Sequence, residues 1–176
     1  MKKLNVLLLA LFVYTSAMAQ WKPAGDKIKT DWANKVNPSN VLPEYPRPIM
    51  ERGQWQNLNG LWNYAIRNRG AAGTNINDGK ILVPFAIESS LSGVQKTVDK
   101  DKELWYERTF SVPAAWSGKN ILLHFGAVDW KADVFLNDIK IGSHKGGFSA
   151  FSFDITPYLK SGQQKLVVRV WDPTTD

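Results

Sequence analysis

Tyr106-Glu107-Arg108-Thr109-Phe110-Ser111-Val112 changes chemistry at nearly every step. Tyr106, Phe110 and Val112 fall on one side, and Glu107, Thr109 and Ser111 on the other. A period of two is the side-chain spacing of a strand with one buried face. Arg108 interrupts the apolar side and is expected at a sheet edge or against an acid. Leu166-Val167-Val168-Arg169-Val170-Trp171 repeats the period. Leu166, Val168 and Val170 face one way, and the side with Val167, Arg169 and Trp171 is expected to be partly covered.

Outward from these two stretches, short runs rich in β-branched and aromatic residues recur between Gly, Asn, Asp and Pro. They predict strands over 60–67, 81–83, 104–112, 120–125, 132–136, 139–143, 151–154 and 165–171. Asn137-Asp138 separates two of them as a tight hairpin turn, since these residues tolerate φ > 0. The one helical turn expected lies near 156–159, with Pro157 at a helix-start position. Eight short strands without helical periodicity predict an all-β fold, a two-layer jelly-roll sandwich.

The N-terminal third reads differently. Lys2 and Lys3 precede the apolar run Val6–Tyr14, and Ala17-Met18-Ala19 supplies a small-residue cleavage site. This is the pattern of a secretory signal peptide over 1–19. Nine apolar residues are too few to cross a ~30 Å hydrocarbon core as a helix, so no membrane association is expected after cleavage. A chain without cysteine carries no lipoprotein anchor either. The expected location is therefore extracellular or periplasmic, in a Gram-negative type of bacterium. Residues 20–54 hold five of the nine prolines, including Pro43-Glu44-Tyr45-Pro46-Arg47-Pro48. That density predicts an extended lead-in, which Trp21, Trp32 and Tyr45 could dock onto a sandwich occupying 55–176.

The chain has 176 residues, 44% hydrophobic, with no cysteine and two histidines. This composition suits one folded domain and excludes a disulfide scaffold, a cysteine zinc site and a thiol nucleophile. No metal and no cofactor are expected. The net charge of +6 falls to +4 when the leader is removed with its two lysines. The remaining lysines interleave with acids, as in Lys96, Asp99, Lys100, Asp101, Lys102 and Glu103, and give no continuous track for phosphates. Nucleic acid is not an expected partner.

Few residues offer chemistry. No phosphate loop, nucleophile elbow or zinc-protease helix is present. His124 is expected to be packed or at a strand end. His144 opens His144-Lys145-Gly146-Gly147-Phe148, a loop position suited to a ligand or a neighbouring domain. Asp129 and Asp133 flank Trp130, and Glu103 and Glu107 flank Trp105-Tyr106. Residues four apart on a strand are about 13 Å apart, too wide for a glycosidase carboxylate pair, so these read as solvated acids at strand ends. Of the eight tryptophans, Trp55, Trp62 and Trp105 are expected in the core, while Trp116 and Trp130 are expected to be exposed, where they could stack on a sugar.

Several motifs in order now resemble a known family. Pro43–Pro48 and Trp55-Gln56-Asn57-Leu58-Asn59-Gly60-Leu61-Trp62 come first. Val83-Pro84-Phe85-Ala86-Ile87-Glu88-Ser89, Leu104–Phe110 and Phe125-Gly126-Ala127-Val128-Asp129-Trp130 follow. Val134-Phe135-Leu136-Asn137 and the stretch from Gly146-Gly147-Phe148 to Phe153-Asp154-Ile155-Thr156 complete the series. From about Pro43 onward the chain resembles the N-terminal, galactose-binding-like sugar-binding domain of glycoside hydrolase family 2, which includes β-galactosidases, β-glucuronidases and β-mannosidases. The resemblance implies a jelly roll followed in the family by an immunoglobulin-like domain and a TIM barrel with two catalytic glutamates. No asparagine here precedes a glutamate, as the family's acid/base residue requires, so no catalytic residue is assigned and the chain is expected to be a fragment, inactive alone. Trp171-Asp172 matches the place where the family sends an acid toward the sugar. The resemblance thus implies Asp172 as substrate-binding; Trp130 and His144, singled out above from their own surroundings, are the other candidate substrate contacts. The implied partners are a β-glycoside or plant polysaccharide fragment and the absent glycosidase domains. The alternatives are a free-standing carbohydrate-binding module and a docking domain for a separately encoded barrel.

Overall fold

The computed structural model describes residues 21–26, 28–71 and 75–173; the signal peptide expected over 1–19 lies outside them. The alternating runs become eight strands: β1 Gly60–Asn68, β2 Gly79–Val83, β3 Lys102–Ser111, β4 Leu122–Phe125, β5 Lys131–Leu136, β6 Ile139–Lys145, β7 Phe151–Asp154 and β8 Gln163–Trp171. All pair antiparallel, in a six-stranded sheet of order β2-β1-β3-β8-β5-β6 and a two-stranded sheet of β4 and β7. Among the described residues, helical structure is confined to short 3-10 turns, one of them Thr156–Tyr158 with Pro157 near its start.

The core forms where the apolar faces meet. Trp62 and Tyr64 of β1, Ile81 of β2, Leu104 of β3, Ala132, Val134 and Leu136 of β5, and Leu166, Val168 and Val170 of β8 are all buried in one cluster. Leu123 of β4 belongs to the same cluster, and Phe125, Phe151 and Phe153 of the small sheet pack against it. Burying each large side chain of this kind is worth roughly 1.5–3 kcal/mol. β6 approaches β7 so closely that a methyl group on Gly142 would stand 2.2 Å from the Phe153 ring. Asn137 and Asp138 both adopt positive φ, as the β5–β6 hairpin requires. The Asn137 amide also donates to the Tyr158 carbonyl at 2.9 Å and to Gln164 Oε1 at 2.8 Å, fixing the turn to the start of β8.

The lead-in is docked, though not by every aromatic expected to do so. Ala24 N–H donates to the Ser90 carbonyl at 2.8 Å, and Ser90 Oγ donates back to the Ala24 carbonyl. The Trp21 indole lies against Gly93, and Tyr45 packs edge-on to Trp55 at 5.0 Å. Trp32 instead remains 70% exposed, with Lys35 over its ring.

Several side chains depart from expectation. Arg108 meets neither an edge nor an acid: β3 is an interior strand, and the guanidinium donates to the Leu58 and Asn59 carbonyls at 2.8 and 2.6 Å. Trp105 is not in the central cluster. It shares the parity of Glu103 and Glu107, on the side of the large sheet away from Tyr106. The acids Glu103 and Asp133 are not solvated; they are 6% and 3% exposed. Glu107 is half-buried and accepts from the Asn63 amide at 3.1 Å.

Candidate functional site

β8 ends in Trp171, and around this residue the fold collects aromatic and charged groups. The Trp171 N–H donates to the Lys100 carbonyl at 2.7 Å, which fixes the indole plane. The Arg69 guanidinium lies 3.8 Å over that ring, and Trp130 meets it edge-on at 6.2 Å. Lys145 stands 5.6 Å over Trp130, whose carbonyl accepts from Gly146 N–H at 2.9 Å. Asp172 follows directly, half-buried, at the same end of the sandwich. In the turn after β6, Gly147 comes so close to Asp129 that an added methyl would fall 2.4 Å from its carboxylate. Phe148 projects beside it, fully exposed.

Behind Trp171 a shallow cleft on the outer face of the large sheet is lined by Arg69, Glu103, Lys131, Asp133, Arg169 and Trp171. Strand register makes it: Asp133 of β5 lies opposite Arg169 of β8, which lies opposite Trp105 of β3. Arg169 Nη2 donates to Asp133 Oδ2 at 2.5 Å and Nε donates at 3.2 Å, while Nη1 is 4.0 Å from Glu103. Ser143 and Lys140 reach the other Asp133 oxygen at 2.5 and 2.8 Å. Burial pushes the Asp133 carboxyl upward, but the hydrogen bonds from Lys140, Ser143 and Arg169, with the Arg169 charge, hold it well below the usual carboxylate range. A carboxylate so held stays ionised and saturated with donors. It cannot serve as the proton donor that glycoside cleavage needs.

The family model described as the glycosyl hydrolase 2 galactose-binding domain-like domain matches residues 63–175. The chain belongs to glycoside hydrolase family 2. It is 30% identical over 132 residues to a β-glucuronidase of Paenibacillus borealis, covering 72% of this chain and 22% of that enzyme. A β-glucuronidase of Bacteroides fragilis is 41% identical over 114 residues, covering 63% of this chain and 15% of that one. The solved β-glucuronidase of Faecalibacterium prausnitzii superposes with a TM-score of 0.58 at 26% identity, over 72% of this chain and 23% of that chain. The chain spans about a fifth of the length of the first of these relatives.

Of the residues singled out in the sequence, this family 2 domain brings Trp130 and Asp172 to one end, on either side of Trp171. Trp130 is half-buried rather than fully exposed. His144 is separated from them. It lies within β6 rather than in a loop, opposite Ala132 and thus on the core side of the sheet. There its ring stacks on Phe151 at 4.1 Å, and Nε2 pairs with Ser149 Oγ at 3.3 Å. His124 lies on the exposed side of β4, its Nδ1 2.5 Å from Ser152 Oγ across the strand pair. Arg69 and Lys145 carry no signal of their role in the sequence, because each is an ordinary cation in a polar stretch. Nothing local announces the ring it covers.

Proposed function

We propose that this domain is the non-catalytic, sugar-side part of a secreted β-glycosidase, and that its substrate class is an acidic β-glycoside, a β-glucuronide. The observation that carries the reading is the end of β8. Trp171 and Trp130 offer aromatic faces, Asp172 an acceptor for sugar hydroxyls, and Arg69, Lys131 and Lys145 cationic donors for a uronate. Names among the relatives support the class, since several are β-glucuronidases. The leader pattern at Lys2–Ala19 supports export. Bond cleavage is assigned to a barrel of the kind the family carries. The two buried carboxylates of this domain, Glu103 and Asp133, flank one guanidinium instead of a scissile bond.

The test has two parts. The purified chain is expected to release no nitrophenol from nitrophenyl β-glucuronide or β-galactoside; turnover abolished by Glu103→Gln or Asp133→Asn would refute the non-catalytic role. Titrating glucuronate while following the Trp171 and Trp130 indole resonances should shift both, and galactose should shift them less. Equal responses to the two sugars would remove the acidic-sugar assignment.

A further inference from the structure

The opposite end of the sandwich carries a second concavity. A groove of about 430 Å³ lies between the turn after β3 and the turn before β8, within the roughly 300–1,000 Å³ range of small-ligand sites. Trp116, Lys119 and Asn120 line one wall, and Thr156, Lys160 and Ser161 the other. Gln164 marks this end of β8 and Trp171 the far end, so about 23 Å of strand separates the groove from the tryptophan pair.

Both walls are held in place by hydrogen bonds. Ala114–Trp116 closes as a 3-10 turn, with Trp116 N–H on the Pro113 carbonyl at 2.9 Å and Lys119 N–H on the Trp116 carbonyl at 3.0 Å. Gln164, 1% exposed, ties down the other turn. Its Oε1 accepts from Lys160 N–H at 3.0 Å, and its Nε2 donates to the Lys160 and Gly162 carbonyls at 2.7 and 2.9 Å. The Trp116 ring is half-buried at the groove wall. Lys119 and Lys160 are exposed, and no acid lines the groove to neutralise them.

We propose that this groove is a second, non-catalytic binding site for an acidic oligosaccharide, its ring against Trp116 and its carboxylates on Lys119 and Lys160. An aromatic face accepts the C–H face of a pyranose, and an ammonium gives a charge-assisted hydrogen bond to a carboxylate. The hydroxyl of Ser161 and the amide of Asn120 are placed for the remaining sugar hydroxyls. Two lysines flanking one ring recognise a charged sugar; they are too few to track a phosphate backbone. The site stands independently of the Trp171 end and of the reading proposed for it.

The experiment is calorimetry on the full chain with tetragalacturonate, cellotetraose and a thymidine tetranucleotide, with indole resonances to locate the binding. Tetragalacturonate should bind saturably, shift the Trp116 indole and leave Trp171 in place. Cellotetraose and the tetranucleotide should bind at least tenfold more weakly. Lys119→Gln with Lys160→Gln should weaken tetragalacturonate at least tenfold, whereas Lys22→Gln with Lys29→Gln, exposed lysines elsewhere, should leave it unchanged. Trp116→Phe should keep affinity within about threefold, and Trp116→Ala should lose more than tenfold. If Trp116→Ala does not fold, the exposed lysine pair decides. Equal affinity for cellotetraose or the tetranucleotide, indifference to the Lys119/Lys160 pair, or no saturable binding would overturn the proposal. A shift of Trp171 in place of Trp116 would also overturn it while supporting the reading of the other end.

Discussion

Replacing Asp133 by asparagine keeps the shape of the side chain and removes its charge from beneath Arg169, Lys140 and Ser143. The carboxylate is 4% exposed, so water supplies almost none of the lost interaction. Breaking a buried ion pair by removing one partner costs about 3–5 kcal/mol. Arg169 and Lys140 keep side-chain exposures of 26% and 48% and can rehydrate in part, which moves the expected loss to the lower end, about 3 kcal/mol. For a chain of this length that is a drop in Tm of roughly 6–12 °C. The pH dependence separates charge from packing. The native Asp133 carboxyl is held below its unfolded value, so its stabilisation is complete above the unfolded pKa of about 3.9 and fades as pH falls toward the native one. Urea unfolding of wild type and Asp133→Asn should therefore differ most near neutrality, and the gap should begin to narrow below about pH 4 and close only well below it. A gap under 1 kcal/mol at pH 7, or one that does not narrow as pH is taken progressively below about 4, would refute the argument.

Three further outcomes follow from the packing. Gly142→Ala should cost about 1–3 kcal/mol through overpacking against Phe153, read as a lower urea midpoint at unchanged slope. Gln164→Leu should cost roughly 2–4 kcal/mol, because it takes a partner from Lys160 N–H, from two carbonyls and from the Asn137 amide, which keeps only its bond to the Tyr158 carbonyl; faster hydrogen exchange at the Lys160 amide would report it. A double-mutant cycle between Arg69→Ala and Trp171→Leu should give a coupling of about 0.5–1 kcal/mol for the cation over the ring. A coupling near zero would show that the contact adds nothing in water.

The strands were legible because their signals are local. All eight expected runs correspond to strands, and the Asn137-Asp138 turn and the helical turn at Pro157 fall where turn chemistry puts them. The errors have a common origin in relations between distant strands. His144 joins β6 because its neighbour Lys145 pairs with Lys131, a partner no local pattern names. Apolar, patterned surroundings point Trp105 to the core, yet it has the parity of Glu103 and Glu107 rather than of Tyr106. Asp133 and Arg169 each interrupt an apolar strand, between Ala132 and Val134 and between Val168 and Val170. Two charges of opposite sign in two such strands are a usable sign of pairing. Their sequence separation of 36 residues hid it.

The same charges bear on how the sandwich chooses its register. β5 and β8 are apolar on the core side and carry Asp133 and Arg169 on the other. A slip of one residue in either strand would turn its whole set of side chains over, since the side-chain period is two. Valines would tolerate that exchange in strands such as these, where Val167 is buried on the outer face as well. Asp133 would not: it would enter the cluster of Leu136, Leu166 and Val168 without Arg169, Lys140 or Ser143, and an unpaired buried charge costs several kcal/mol. Register and the tryptophan end are thereby linked. Because Asp133 must face Arg169, Lys131, two residues away, must face Trp171, and Trp130 arrives at the ring that precedes Asp172 with Lys145 over its own. The ion pair lies outside the proposed sugar contacts, yet it decides which residues reach them.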